Sequence, residues 1–305
     1  MLIAVIGSGS VGCLYGARLA RAGHDVHFLM RRDLEAVRRN GLMIHSCDGD
    51  FRLQAKAYGG SAEIGVVDLV VCALKTTAID SAEPLIRPCV GAHTRILALM
   101  NGLGIEEKLA RWFEPERILG GLAFVCINRG EPGVIYHTDH GRVTFGHMLG
   151  DHSQAQKLAD LFAAAGFKTG VPPSLKQARW EKLMWNVPFN SLAITAGGAT
   201  TDRILADAGL SELARRLMRE VAAAGNADGC TIDAETMVEK MMSNTATMSA
   251  YKPSMLIDYE RRLPLEADAI LGEPVRRARQ HGVPVPTMDA QYYLTDFLDR
   301  LNRQV

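Results

Sequence analysis

Apolar runs bounded by glycine and polar residues recur through the first half of the chain, with helix-like spacing between them. Continuous runs of this length are typical of strands that are buried on both faces of a parallel sheet. We predict such strands at residues 2–6, 25–29, 66–74, 95–99 and 118–127. Two further runs, 134–138 and 142–145, flank a polar turn and predict an appended antiparallel hairpin. The first half is therefore predicted to be an α/β domain.

The second half shows apolar residues at helical spacing and no strand pattern. Its predicted helices cover residues 175–196, 210–224, 233–242, 265–280 and 287–302. Pro172 and Pro173 are a turn signal at the junction between the two patterns. We therefore predict a first domain over residues 1–172 and an all-α domain over residues 173–305.

The helix predicted at 175–196 is mostly apolar but carries Lys182, Asn186 and Asn190 at every fourth position. This spacing stacks the three side chains along one face. A solvated surface face is one interpretation. The apolar neighbours on all other sides favour a second one, a buried polar site that binds a small polar ligand, because buried amines and amides need partners.

A glycine motif follows the first predicted strand, and a helical segment follows the motif. Its six residues are Gly7, Ser8, Gly9, Ser10, Val11 and Gly12. Strand, G-x-G-x-x-G and helix in this order are the dinucleotide-binding fingerprint, in which the glycines allow a tight turn and close approach to a pyrophosphate. A glycine-rich turn without a ligand is the alternative. The motif predicts an α/β Rossmann-type N-terminal domain plus an all-α C-terminal domain.

The second predicted strand is followed by Met30, Arg31 and Arg32. A site that prefers NAD usually has an acidic residue here for the ribose 2′-hydroxyl, whereas arginine suits the 2′-phosphate of NADP. Arg31 therefore predicts NADP, unless this basic pair only marks a solvated helix start. Lys75 and Asn101 each follow a predicted strand, at the sheet edge where ligands of parallel sheets bind. An Asn-Gly turn also forms for purely local reasons, so Asn101 by itself is not evidence for a ligand-binding site.

The bulk composition excludes several classes of partner. The 305 residues contain 34 basic and 34 acidic side chains, which removes a general electrostatic argument for binding nucleic acid or an anionic membrane. No apolar run approaches the roughly 18 residues of a membrane span, and no basic leader precedes the first strand. We expect a cytoplasmic protein with a small-molecule substrate. The helical second domain offers exposed faces for a possible homodimer.

The six cysteines are widely spaced and form no CxxC pair. Such usage is typical of thiols in a reducing compartment, and it predicts neither a disulfide framework nor a zinc site. His137 and His140 flank the predicted hairpin turn, and we interpret them as surface histidines. No metal site is predicted.

Taken together, the motifs resemble those of the ketopantoate (2-dehydropantoate) 2-reductase family over nearly the whole chain. The resemblance is carried by the glycine motif, the basic pair, Leu74-Lys75, MNGLG at 100–104, RWEKLMWNVPFN at 179–190 and the segment that begins at Pro253. It implies an NADPH-dependent oxidoreductase that reduces 2-dehydropantoate to pantoate in pantothenate biosynthesis.

The resemblance also implies a role for individual residues. Lys182 would be the catalytic lysine and Glu266 its acidic partner. Without the resemblance, Glu266 is interpreted as an ordinary surface carboxylate in the first turn of a helix. Asn186, Asn190 and Ser254 would bind substrate. Lys75 and Asn101 would lie between cofactor and substrate, so Asn101 counts toward both sites. The glycine motif, Arg31 and Lys75 would bind NADPH.

The chain departs from the family pattern where it has Tyr251, Pro253 and Leu271 in place of polar residues, and Pro188 in the lysine helix is also unusual. These departures favour keeping open a paralogous reductase of another, more apolar 2-oxo acid. A β-hydroxyacid dehydrogenase is a second alternative, but that group has adjacent asparagines after its lysine. A third is an NADP-binding regulatory or redox-sensing protein, which would need no proton donor such as Lys182.

The hypothesis for catalysis follows from the charge that develops during reduction of a ketone. Hydride transfer to carbon leaves negative charge on the oxygen, which a cationic donor stabilises and protonates. We assign this role to Lys182. Glu266 would orient the ammonium group and offset the cost of burying its charge.

Overall fold

The structure, a computed structural model, describes residues 1–248 and 250–304. It contains two compact units, the first comprising Met1–Met100 and Ile105–Leu175 and the second comprising Asn101–Gly104 and Lys176–Val305. The sequence predicted a single boundary at residue 172. Residues 101–104 group with the second unit instead, because Leu103 N–H donates to the carbonyl of Ala269 (3.0 Å).

One ten-stranded sheet forms the centre of the first unit. Its strands are β1 (Leu2–Ile6), β2 (Asp25–Leu29), β3 (Leu42–Ser46), β4 (Phe51–Leu53), β5 (Lys56–Tyr58), β6 (Leu69–Cys72), β7 (Arg95–Ala98), β8 (Ile118–Arg129), β9 (Val134–His147) and β10 (Thr169–Gly170). The order is β4-β3-β9-β8-β7-β6-β1-β2-β5, and β10 pairs with β9. Pairing is parallel from β5 through β1 to β8. The predicted α/β class is confirmed, with a mixed rather than purely parallel sheet.

The central strands are buried on both faces, as the continuous apolar runs predicted. Every residue of β6 is buried, but the strand covers only Leu69–Cys72 and not the whole apolar run from 66 to 74. The helices of this unit are α1 (Ser10–Arg21), α2 (Leu34–Asn40), α3 (Glu83–Ile86), α4 (Ile105–Leu109) and α5 (His152–Ala164). Helix α5 begins where the Asp151 carboxylate accepts from the amides of Ser153 and Gln154.

The hairpin predicted at 134–138 and 142–145 is wrong, because both segments belong to the single strand β9. Their antiparallel partner is β8, and the polar residues between them are absorbed by a bulge with register shifts near Val125 and Cys126. His140 and Gly141 in the bulge have φ values of 64° and 116°. A turn signal therefore marked a kink within a strand rather than a reversal of the chain.

Helices are the only regular elements in the described residues of the second unit. It contains α6 (Leu175–Thr195), α7 (Thr201–Ala206), α8 (Ala208–Ala227), α9 (Ala234–Ala246), α10 (Ser254–Glu260), a π-helix (Asp268–Gly272), α11 (Glu273–Gln280) and α12 (Pro286–Asn302). Its core surrounds α6, where Trp180, Met184 and Val187 are fully buried. The all-α prediction is confirmed. Among the described residues, no helix combines the length and apolarity needed to cross a membrane.

Candidate functional site

The glycine motif forms the turn between β1 and α1. Gly7 has a φ of +100°, and a Cβ there would lie 2.5 Å from the amide nitrogen of Leu74. A Cβ on Gly12 would lie 2.4 Å from the carbonyl oxygen of Gly7. A Cβ on Gly9, by contrast, would meet no protein atom within 4 Å. Gly7 and Gly12 are therefore required by the packing of the turn, whereas Gly9 leaves open space above its backbone.

Helix α1 begins at this open space without a side-chain cap. Gly9 is the N-cap residue and contributes no side-chain hydrogen bond, and the first turn contains no acidic residue. Ser10 and Val11 start the helix, while Ser8 Oγ is directed away to the carbonyl of Leu29 (2.8 Å). Uncapped amides at a helix start bind phosphate groups. The turn thus fits the pyrophosphate of a dinucleotide.

The side chains after β2 separate into one exposed cation and one buried acid. Arg31 is exposed directly after the strand. Asp33 is 4% exposed, forms an ion pair with Arg129, and accepts from the amide of Gly133 (3.2 Å). The carboxylate that follows β2 is therefore engaged within the protein, and the neighbouring arginine is free to meet solvent. Lys75 is likewise exposed, shortly after β6.

The polar stripe of α6 belongs to the second unit. Lys182 Nζ is partly buried and donates to Asn101 Oδ1 (2.9 Å). The loop that carries Asn101 packs tightly against the π-helix, because a Cβ on Gly102 would lie 2.6 Å from the Cβ of Ala269. The lysine and Asn101, which the sequence placed in different domains, are therefore hydrogen-bonded in one unit.

Burial sets the protonation of Lys182. Loss of solvation, together with the positive charge of Arg179, lowers the pKa of Lys182 to about 7, and the carboxylate of Glu266 opposes this decrease. Glu266 is 2% exposed and lies just before the π-helix, so it is not a surface carboxylate. Arg179 is 3% exposed. Sequence reasoning gave Arg179 no role, although its position one turn before Lys182 placed both charges on one face.

Asn190 bridges α6 to the start of α10. Its Nδ2 donates to the carbonyl of Asn186 (3.0 Å), and its Oδ1 accepts from the amide of Met255 (2.9 Å) and from Ser254 Oγ (3.4 Å). Asn186 and Asn190 are buried, at 6% and 1% exposure. The stripe therefore forms two groups, Lys182 with Asn101 and Glu266, and Asn190 with Asn186 and Ser254.

The residues that depart from the family pattern have different environments. Leu271 is fully buried in the core of the second unit. Tyr251 lies beside Trp185, with ring centroids 6.1 Å apart, and Trp185 lies 5.0 Å from the ring of Phe189. Pro253 is the N-cap residue of α10. Only Tyr251 therefore adds an aromatic surface next to the helix that carries the polar stripe.

Three known 2-dehydropantoate 2-reductases match this chain over nearly its full length. The 2-dehydropantoate 2-reductase of Nostoc sp. is 38% identical over 307 residues, which cover 98% of this chain and 96% of that protein. The crystal structure of the 2-dehydropantoate 2-reductase from Geobacter metallireducens has a TM-score of 0.95 at 45% identity, covering 97% of this chain and 99% of that one. The enzyme from Methylococcus capsulatus gives 0.90 at 34% identity, with 99% and 98% coverage.

Two family descriptions together span most of the chain. Ketopantoate reductase PanE/ApbA matches residues 3–150. Ketopantoate reductase PanE/ApbA C terminal matches residues 174–299. The glycine turn lies in the first match, and the Lys182 and Asn190 groups, apart from Asn101, lie in the second. The chain belongs to the ketopantoate reductase family.

Proposed function

We propose that this protein is an NADPH-dependent 2-dehydropantoate 2-reductase, an oxidoreductase that forms pantoate for pantothenate biosynthesis. The observation that carries the proposal is the partly buried Lys182, with a pKa of about 7, hydrogen-bonded to Asn101. An amine with a pKa near neutrality can both hold and release a proton under cellular conditions. The curated relative with 38% identity carries this enzyme name.

The proposed chemistry assigns the proton to Lys182. NADPH, when bound, supplies the hydride. The Lys182 ammonium group stabilises the developing negative charge on the substrate oxygen and then protonates it. Asn101 Oδ1 holds Nζ in a fixed orientation. The amine therefore loses little conformational freedom in reaching the transition state, which lowers the entropic cost of the reaction. Glu266 keeps enough positive charge on the amine despite its burial.

The second group of polar residues is proposed to hold the substrate carboxylate and hydroxyl. Asn186 and Ser254 are the proposed contacts. Asn190 uses its Oδ1 on Met255 and Ser254 and its Nδ2 on Asn186, so we assign it to positioning these two residues. In the first unit, the glycine turn and Lys75 are proposed to bind the cofactor phosphates, and Arg31 the 2′-phosphate.

An NADPH-oxidation screen tests the proposal. Ketopantoate, branched 2-oxo acids and aromatic 2-oxo acids would each be assayed with NADPH and with NADH. We expect the highest kcat/KM for ketopantoate with NADPH. A flat response to ketopantoate beside a strong response to another 2-oxo acid would reject the substrate but retain the reaction class. Absence of NADPH oxidation with every acid would favour a regulatory NADP-binding protein.

A reductase of an aromatic or other apolar 2-oxo acid is the second candidate. The observation that favours it is the half-buried pair of Trp185 and Tyr251, on and beside the helix of the polar stripe, with the buried Phe189 packed against Trp185. Aromatic side chains give a binding surface for apolar substituents. If this candidate holds, Tyr251→Asn should raise the ratio of kcat/KM for ketopantoate to that for phenylpyruvate. An unchanged ratio would reject a role for Tyr251 in selectivity.

The pH dependence should follow the protonation of Lys182. Its ammonium form is present below a pKa of about 7 and is lost as the pH rises through that value. We therefore expect kcat/KM for reduction to be level at low pH and to decline about tenfold per pH unit above the pKa. Glu266→Gln should move the decline to lower pH, because the carboxylate raises the pKa of Lys182. Arg179→Met should move it to higher pH. Shifts of both variants in one direction would contradict this assignment.

Arg31 should determine the preference for the phosphorylated cofactor. It is exposed after β2, while Asp33 is paired with Arg129. Arg31→Ala should raise the KM for NADPH by about tenfold, the effect of losing one charge-assisted contact of roughly 1.4 kcal/mol. The KM for NADH should stay constant. Equal effects on both cofactors would argue against a contact with the 2′-phosphate.

The homodimer is proposed to form through α12. This helix exposes Leu294, Phe297 and Leu301 at 51%, 55% and 46%. Asp296 and Arg300 flank these residues and pair within the helix (3.2 Å). Two copies packed antiparallel could exchange these charge partners while covering the apolar face, as a two-fold interface requires. Phe297→Glu should convert a dimer to a monomer by light scattering, whereas Phe124→Glu, at an exposed phenylalanine of β8, should not.

A further inference from the structure

His137 is not the surface histidine that the sequence suggested, because its side chain is fully buried. Its Nε2 lies 3.2 Å from the carbonyl oxygen of His140. A carbonyl only accepts, so Nε2 carries a proton, and in the neutral imidazole this leaves the lone pair on Nδ1. Ser46 Oγ lies 2.8 Å from Nδ1 and donates to this lone pair, so an ion bound there takes the place of the Ser46 hydroxyl. The ring is thus fixed in the tautomer that metal-binding histidines adopt when a backbone carbonyl holds the second nitrogen.

Two further potential ligand atoms lie near the ring of His137. Cys47 Sγ is 3.8 Å from Nδ1 and 3.9 Å from Nε2, and Asp48 Oδ2 is 4.0 Å from Nδ1. One atom from each of the three residues falls within 4.8 Å of the others. Parallel pairing of β3 with β9 sets Ser46 opposite His137, and Cys47 N–H donates to the His137 carbonyl (3.0 Å). The strands, and not the spacing in sequence, bring the three residues together.

We propose that Cys47, Asp48 and His137 form a binding site for a zinc ion, with water as the fourth ligand. Thiolate, imidazole and carboxylate are the three side chains that zinc prefers. Zinc bonds of about 2.3 Å to sulfur and 2.0 Å to nitrogen place these atoms roughly 3.5 Å apart in a tetrahedral site. The Sγ–Nδ1 distance is 3.8 Å, and Sγ lies 3.9 Å from Nε2, so the exposed Cys47 side chain has to rotate toward Nδ1 to share an ion with it. Cys47 and Asp48 are exposed, so an ion can enter from solvent.

Zinc must displace two positive groups, the thiol proton of Cys47 and the guanidinium of Arg18 beside Asp48. Burial and the carboxylates of Asp48 and Asp139 raise the pKa of the Cys47 thiol, so binding releases its proton to solvent. The same carboxylates attract a cation. Arg18 already occupies part of this position, with Nη2 2.9 Å from Asp48 Oδ2. Its guanidinium also lies over the ring of Phe167 at 4.7 Å. Zinc therefore competes with an internal cation for one carboxylate.

Because zinc competes with Arg18, two variants are expected to change the zinc affinity in opposite directions. Full-length protein is treated with a chelator, freed of it, and titrated without NADPH or substrate, so that the result does not depend on the reductase activity. Zinc affinity is measured against a chromophoric chelator, and cobalt reports thiolate coordination through its near-ultraviolet charge-transfer band. Cys47→Ser should abolish this band and weaken zinc binding about tenfold or more. Arg18→Met, which keeps the apolar packing, should tighten it.

Cys230→Ser is the matched control, because Cys230 is a partly exposed free thiol in the second unit. It should retain both the cobalt band and the zinc affinity. The buried His137 is left unchanged, so none of the three variants removes a core side chain. Equal zinc affinity of the wild-type protein and Cys47→Ser would overturn the site. Unchanged or weaker binding by Arg18→Met would overturn the assignment of Asp48 as a ligand.

Discussion

Lys182→Ala is expected to lower kcat/KM for ketopantoate reduction by about 10²- to 10⁴-fold, the contribution of a positioned proton donor. The variant removes the amine that is hydrogen-bonded to Asn101 Oδ1 and whose pKa the Glu266 carboxylate raises. Part of the loss should appear in kcat, because the ammonium group acts on charge that develops only in the transition state. Steady-state kinetics with NADPH and ketopantoate give both parameters.

Lys176→Ala is the matched control for this prediction. Lys176 lies on the same helix, but its side chain is 45% exposed and pairs with Asp228 (3.0 Å). We expect its kcat/KM to stay near that of the wild-type protein. Added methylamine should restore part of the activity of Lys182→Ala and none to Lys176→Ala. Near-normal turnover by folded Lys182→Ala would reject the proton-donor role.

The sequence predicted the parts of this site that depend on local spacing. Four-residue spacing aligned Lys182, Asn186 and Asn190, because a helix repeats every 3.6 residues. The same periodicity could not show that Asn190 is held by Met255, since that contact joins segments far apart in the chain. Nor could it show that Glu266 is buried.

In the fold, the strands formed by apolar runs were predictable from the sequence, whereas the short strands were not. Apolar runs identified β1, β6 and β7, because strands buried on both faces must be apolar over most of their length. The short strands β3, β4 and β5 were missed, because none of them is a continuous apolar run. Strands β4 and β5 lie at the edges of the sheet, and β3 has half-exposed residues among its buried ones. Missing β3 also hid the approach of Cys47 to His137, which arises only from the pairing of β3 with β9. Tertiary pairing, rather than local pattern, accounts for what the sequence did not predict.

Gly9→Ala should weaken NADPH binding with little effect on folding. Its backbone has φ −79° and ψ −166°, which alanine adopts freely, and a Cβ there meets no protein atom within 4 Å. The added methyl group instead enters the space proposed for the pyrophosphate. Overpacking of this kind costs about 1–3 kcal/mol, which corresponds to roughly 5- to 150-fold in Kd. Titration of NADPH fluorescence measures the change.

Gly12→Ala separates this effect from damage to the turn. Its Cβ would lie 2.4 Å from the carbonyl oxygen of Gly7, which is backbone and cannot rotate away. Gly12→Ala should therefore lower the Tm, whereas Gly9→Ala should cost no more than about 1 kcal/mol of unfolding free energy as a weaker N-cap. If Gly9→Ala bound NADPH as tightly as the wild-type protein, the open space above Gly9 would not be the phosphate site. The contrast holds because the two glycines face different neighbours, backbone for Gly12 and solvent for Gly9.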